Sequence, residues 1–309
     1  MHIFRVILLF GMIISLHAKE LITPIPDTIS YDPVKAKLGK KLFSDPILSR
    51  DGTISCESCH HLGYNGADST PVSRGVDGRK GDLNSPTVFN AVFNFSQFWD
   101  GRAKDLKEQA IGPILNPKEM DGNISEIVKR LRSDTFYRKA FYKIYHEKIT
   151  INHITEVIAE FEKSLITPDS RFDRYLKGDT SALSEKEKEG YRLFKSFGCI
   201  SCHNGVNLGG NLYQKIGIIQ PFHPIHKYPG RYNVTKNEED RYYLKVPSLR
   251  NIALTAPYLH DGSVKTLKQA IRVMIHYQLG RISREEDVKK IEKFLLTLTG
   301  KLPDFGEVK

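Results

Sequence analysis

Cys56-Glu57-Ser58-Cys59-His60 is the stretch from which the rest of this chain is read. Two thiols three residues apart, with an imidazole directly behind them, form the attachment signature of a c-type haem. The thiols bond to the haem vinyl groups, and the adjacent His is then held under the iron as its proximal ligand. The chain repeats the arrangement at Cys199-Ile200-Ser201-Cys202-His203, and these 4 cysteines are its full complement. A zinc site made from two Cys-x-x-Cys knuckles is the competing reading, but zinc has no need of a His behind each pair. A disulfide framework fits poorly with so few cysteines in 309 residues. The motifs predict two covalent haems, one held by Cys56, Cys59 and His60, the other by Cys199, Cys202 and His203.

Both motifs sit inside a longer repeat. Gly-x-x-Leu-Phe precedes each, at Gly39 to Phe43 and Gly190 to Phe194. Further on, Pro86-Thr87-Val88-Phe89-Asn90 matches Pro247-Ser248-Leu249-Arg250-Asn251, Phe98-Trp99-Asp100-Gly101 matches Leu259-His260-Asp261-Gly262, and Leu106-Lys107 matches Leu267-Lys268. All of these later pairs keep the offset between Pro86 and Pro247, so the chain reads as an internal duplication with one haem per half.

Secondary structure reads as helical throughout. Ile154, Val157, Ile158, Phe161 and Leu165 fall at helical spacing, as do Val288, Ile291, Phe294, Leu295 and Leu298; these are core faces. Ser184 with Glu187 makes a capping box ahead of the second haem motif. Ser283 and Glu286 suggest a cap for the last helix, and Gly300 its end. The fold expected is all-α, two cytochrome c-like domains related by duplication, with boundaries at 19–180 and 181–309. The natural linker lies between about Thr167 and Ser184. The Gly-, Pro- and aromatic-rich run from Asn204 to Asp240 reads as irregular structure without an assigned role.

Residues 1–18 read as a secretory signal peptide, with Arg5 in the n-region, Val6 to Leu16 as the apolar run and Ala18 at the cleavage site. An uncleaved anchor is the alternative; no later segment has transmembrane length. The mature protein is expected in the periplasm, where bacteria attach c-type haems. The formal charge of +10 is spread along the chain. Without a nucleic-acid-binding motif, that basic surface suits an acidic protein partner better than nucleic acid.

The two halves differ where function is decided, at the second axial position of each iron. A Met there closes the site for electron transfer, whereas an empty position admits a small oxidant. Met274, on a helix whose apolar face runs Leu267, Ile271, Met274, is the natural sixth ligand of the second haem; a plain core Met is the alternative. In the first half one extra residue follows Lys107, so Met274 pairs with Ile114, which cannot bind iron. Pro113 beside it is expected to break the helix that would present a ligand. His61 is tethered to the proximal face with His60. One closed and one open haem describe an oxidoreductase.

With those residues in place, the sequence resembles the bacterial di-haem cytochrome c peroxidases over nearly all of the mature chain. The blocks Asn84 to Asn94, Phe98 to Arg102, Leu249 to Asn251 and Ala256 to Tyr258 carry the resemblance. It implies that the first haem is peroxidatic and low in potential, and that electrons enter at the high-potential second haem. It also implies that Trp99 lies between the haems, that Gln109 and Glu119 form the distal pair, and that Asn84, Thr255 and Pro257 belong to a calcium site. A carboxylate such as Glu119 can take a proton from bound peroxide and return it to the leaving oxygen, while Gln109 orients the substrate. A Ca²⁺ ion would take oxygen ligands, an amide side chain and backbone carbonyls among them. Such relatives often carry a loop His that caps the peroxidatic iron at rest; here Ser73-Arg74-Gly75-Val76 puts Val76 at that position.

The expected activity is cytochrome-c peroxidase: reduction of hydrogen peroxide with electrons from a small periplasmic cytochrome c. A di-haem oxidase acting on a partner protein, like the enzyme that matures tryptophan tryptophylquinone, is the alternative within the fold. That relative carries Tyr where this chain has Met274. A di-haem electron carrier would need a ligand that the first half does not offer. A homodimer is compatible with the resemblance, and the sequence leaves the oligomeric state open.

Overall fold

The computed structural model describes residues 20–222 and 228–303; the expected signal segment, 1–18, lies outside them. Helices α1 (Pro33–Ser44), α2 (Leu106–Leu115), α3 (Ile124–Ser133), α4 (Thr135–Tyr145) and α5 (Ile151–Lys163) come first, and α6 (Arg171–Leu176) follows. Then come α7 (Glu185–Ser196), α8 (Tyr232–Thr235), α9 (Leu267–Val273) and α10 (Glu285–Leu296). Besides isolated bridges, the extended structure among the described residues is a short antiparallel ribbon, β1 (Tyr213–Lys215) on β2 (Tyr243–Lys245), with Gln214 opposite Leu244.

The repeated Gly-x-x-Leu-Phe text has a packing reason. In α1, a Cβ on Gly39 would overlap the Val157 carbonyl of α5; in α7, a Cβ on Gly190 would overlap the Lys290 carbonyl of α10. Only glycine lets each helix pair approach backbone to backbone. The Phe at the end of the text then fills the same place twice: Phe43 lies 5.3 Å from Phe161, and Phe194 5.2 Å from Phe294. Both helical stripes read from the sequence are buried, from Ile154 to Leu165 in one core and from Val288 to Leu298 in the other.

Local signals behave mostly as their chemistry requires. Asp32 caps α1 ahead of Pro33, and the Ser184–Glu187 capping box opens α7. Helix α10 starts later than expected, after Arg284, whose guanidinium holds Asp287 at 2.8 Å, so Ser283 is not its cap. It ends at Leu296, and the Gly300 N–H instead donates to Asn251 Oδ1 at 3.0 Å. Pro113 does not break α2, which continues to Leu115. A proline this close to a helix end removes one donor without interrupting several turns.

The stretch read as a linker is packed. Asp173 in α6 is fully buried, receives Ser170 Oγ at 2.7 Å and pairs with the buried Arg250 at 2.8 Å. Arg250 also donates to the carbonyls of Thr23 and Val206. The cores accordingly do not divide at 180: Ile22 and Phe172 belong with the second, and Leu302 packs against the first.

The two matched loops grip each other reciprocally. Asn84 N–H donates to the His260 carbonyl at 2.8 Å, and Lys245 N–H donates to the Trp99 carbonyl at 2.7 Å. Asn84 and Lys245 are equivalent in the repeat, as are Trp99 and His260. Asn90 and Asn251, also equivalent, both adopt a left-handed backbone (φ 62° and 60°) and both donate to Thr167 Oγ1, at 2.7 and 2.9 Å.

Candidate functional site

Each His of the repeated motif is fixed in the same way. His60 N–H bonds to the Cys56 carbonyl at 3.0 Å, and His203 N–H to the Cys199 carbonyl at 2.9 Å. Nδ1 of His60 faces the Gly66 carbonyl at 3.1 Å, and Nδ1 of His203 faces the Leu208 carbonyl at 3.1 Å. An Nδ1–H held on a carbonyl leaves the Nε2 lone pair for a metal and sets the ring's orientation. Burial lowers the pKa of both imidazoles, that of His203 to about 4, which keeps them in the neutral ligating form.

No disulfide joins any of the four cysteines. Burial raises Cys56 strongly and pushes Cys199 up to about 12. Among the described residues no three His, Cys, Asp or Glu side chains converge on a metal position. Two thiols beside an oriented imidazole on an apolar cavity fit a covalent haem.

The larger cavity, about 250 Å³, is lined by Cys199, Cys202, His203 and Met274, with Leu244, Val246, Ile271 and Ile275 giving it an apolar wall. Met274 stands where α9 passes into a single π-turn, Met274–Gln278. Gln278 holds that turn to the ribbon, accepting from Gly217 N–H at 2.9 Å and donating to the Lys215 carbonyl at 3.1 Å. The first half contributes Trp99, Asn84, Pro86 and Phe89 to the same cavity. Trp99 Nε1–H donates to the Asn84 carbonyl at 2.9 Å, and its ring meets His260 edge to face.

The smaller cavity, about 40 Å³, brings Cys56, Cys59 and His60 together with Gln109, Glu119, Met120 and Glu162. Ile114, the counterpart of Met274, is absent from its lining and is packed in the first core. Glu119 Oε1 accepts Asn116 Nδ2–H at 2.6 Å. Burial nevertheless raises its pKa, with Asn116 and Arg102 pulling the other way. The Val76 loop closes over this region: Val76 is fully buried and its N–H donates to the Glu119 carbonyl at 2.8 Å. Arg50 and Arg79 each pair with both Asp77 and Asp121, which ties the Val76 loop to the Glu119 loop.

Asn84, Thr255 and Pro257 all reach the larger cavity. Asn84 Nδ2–H donates to the carbonyls of Thr70 and Pro71 at 3.2 and 3.3 Å, an orientation that leaves Oδ1 for a cation.

Several functional neighbours escaped the sequence reading. Glu162 sits on the core face of α5, where burial raises its pKa to about 8 and Oε2 has no partner. A Glu between Phe161 and Leu165 in an apolar stripe was the available signal. Lys245 lines the larger cavity two residues before the matched Pro247. The run from Asn204 to Asp240, described except for 223–227, braces the Trp99 turn. Tyr228 donates to Asp100 Oδ2 at 2.6 Å, and Arg231 to the Asp100 carbonyl at 3.3 Å.

The family described as di-haem cytochrome c peroxidase matches residues 33–181. Cytochrome c551 peroxidase of Nitrosomonas europaea is 50% identical over 289 residues, covering 93% of this chain and 86% of that protein. Cytochrome c peroxidase Ccp of Escherichia coli is 47% identical over 92% of this chain, which spans 62% of that protein's length. The crystal structure of a MauG-like protein associated with microbial copper homeostasis superposes with a TM-score of 0.79 at 28% identity, covering 91% of this chain and 94% of that one. The chain belongs to the di-haem cytochrome c peroxidase family.

Proposed function

We propose that the protein is a periplasmic cytochrome-c peroxidase built as two cytochrome c-like units, one haem in each. The division of labour follows from the two cavities. Cys56, Cys59 and His60 would hold a haem, which would supply the redox chemistry of peroxide reduction. Around that position Gln109 orients the substrate. Glu119 takes the proton from the near oxygen and returns it to the far one as the O–O bond breaks. With two electrons and two further protons, one peroxide gives two waters. Burial of Glu119 keeps its proton affinity high enough for the return step.

Cys199, Cys202 and His203 would hold the second haem, and Met274 on the same cavity would offer its iron a thioether, which would favour the reduced state and electron entry. Trp99, contributed by the first half to the lining of the larger cavity, carries coupling from one half to the other. Asn84 Oδ1 with the Thr255 and Pro257 carbonyls holds Ca²⁺ at this junction. The electron donor is a small cytochrome c with an acidic docking face, complementary to the basic chain. Met274 also separates this reading from partner-oxidising relatives that carry Tyr there.

The observation that carries the proposal is the pairing of two identically fixed histidines with unequal surroundings, Met274 at one and Glu119 with Gln109 at the other. The experiment is turnover of hydrogen peroxide by the purified two-haem protein with reduced cytochrome c. Oxidation of two cytochrome equivalents per peroxide is expected; no peroxide-dependent oxidation would overturn the proposal.

A further inference from the structure

We infer that Lys245 is the anion-receiving residue of the larger cavity, pairing its ammonium with a propionate carboxylate of the haem attached there. The inference rests on reading that cavity as a haem site. Lys245 ends β2, where its backbone is pinned by the bond to the Trp99 carbonyl, 2.7 Å long. Its side chain lines the cavity with His203 and Met274 and is 8% exposed. Among the described residues the ammonium has no carboxylate or carbonyl partner, and burial alone lowers its pKa, to about 8. The carboxylate of the Trp99 turn is already taken: Asp100 accepts from Arg102 and Tyr228.

An ammonium enclosed by apolar walls is costly unless an anion joins it. Propionates are the anionic part of a haem whose remaining surface suits an apolar cavity. The repeat sharpens the point, because the equivalent residue of the first half is Asn84, which is neutral. Only one half therefore carries a charged side chain at this place. A positive charge beside a haem favours its reduced form, so Lys245 acts in the same direction as Met274.

The test compares midpoint potentials in spectroelectrochemical titrations of the wild-type holoprotein, Lys245→Met and Lys245→Arg, with haem content counted by intact mass. Lys245→Met is expected to weaken reduction of the Met-ligated haem at least tenfold, about 59 mV for one electron. Lys245→Arg should stay close to wild type, and the first haem should not move. Loss of the second haem from Lys245→Met but not from Lys245→Arg would support the same pairing. An unmoved midpoint in Lys245→Met with both haems present would overturn it. So would equal shifts, or equal haem loss, in both variants, since shape rather than charge would then be the requirement. A wild-type mass lacking the second haem would instead defeat the haem reading on which this inference rests.

Discussion

Trp99 and His260, equivalent residues of the two halves, meet edge to face across the junction, with ring centroids 6.3 Å apart and planes at 70°. The contact places an aromatic of the first half in the wall of the second cavity, and Nε1–H keeps the indole on Asn84. Trp99→Phe removes that hydrogen bond, worth about 1 kcal/mol, while keeping an aromatic ring. The expected outcome is a protein with both haems and slower electron transfer between them, read by stopped-flow mixing of the half-reduced protein with peroxide. Unchanged transfer would take Trp99 out of the path.

Glu119 should govern the acid side of the pH profile. Its pKa is raised by burial, so the deprotonated base appears only above the ordinary carboxylate range, and activity should rise with pH through that shifted value. Glu119→Gln should abolish this limb and lower kcat/KM by about 10²–10⁴-fold, with both haems still attached. Near-normal turnover in the variant would move the proton-transfer role elsewhere.

Met274→His exchanges a thioether for an imidazole and stabilises the ferric state. The second haem's midpoint should fall and electron entry should slow, while the first haem is unaffected. Persistence of the thioether–iron absorption band in this variant would identify a different ligand.

The two helix crossings should respond alike. At Gly39 and at Gly190 an added methyl meets a backbone carbonyl that no rotamer change can move aside. Gly39→Ala and Gly190→Ala should each cost about 1–3 kcal/mol or more by the overpacking rule, measured as a drop in the denaturant midpoint.

The helical stripes, the capping box and the haem motifs were legible because each depends on residues close in sequence. What was not legible depends on partners far away. Phe172 and Asp173 looked like a linker because the Gly178-Asp179 turn follows them, yet Asp173 is buried by Arg250 from the second half. Nothing in its local text singles out Lys245, and only the fold shows that it and Glu162 are enclosed, with Glu162 Oε2 left without a partner. Glu119 and Gln109 were found by resemblance rather than by spacing, since they come from the loop after α2 and from α2 itself. Pro113 misled because the distance to the helix end, two residues, could not be read beforehand.

The loop bearing Val76 decides whether the first iron starts open. Val76 offers no donor atom, and its backbone is fixed on Glu119 by the Arg50, Asp77, Arg79 and Asp121 pairs. Glu119 and Met120, the candidates nearest in sequence for a substitute ligand, both line the same cavity. The account's central claim is that the two haems are unequal, one closed by Met274 and one open above His60. Electron paramagnetic resonance of the untouched ferric holoprotein tests it most directly. One low-spin and one high-spin signal are expected, together with peroxide turnover that shows no lag and gains nothing from pre-reduction. A purely low-spin spectrum, with a lag that pre-reduction removes, would contradict it.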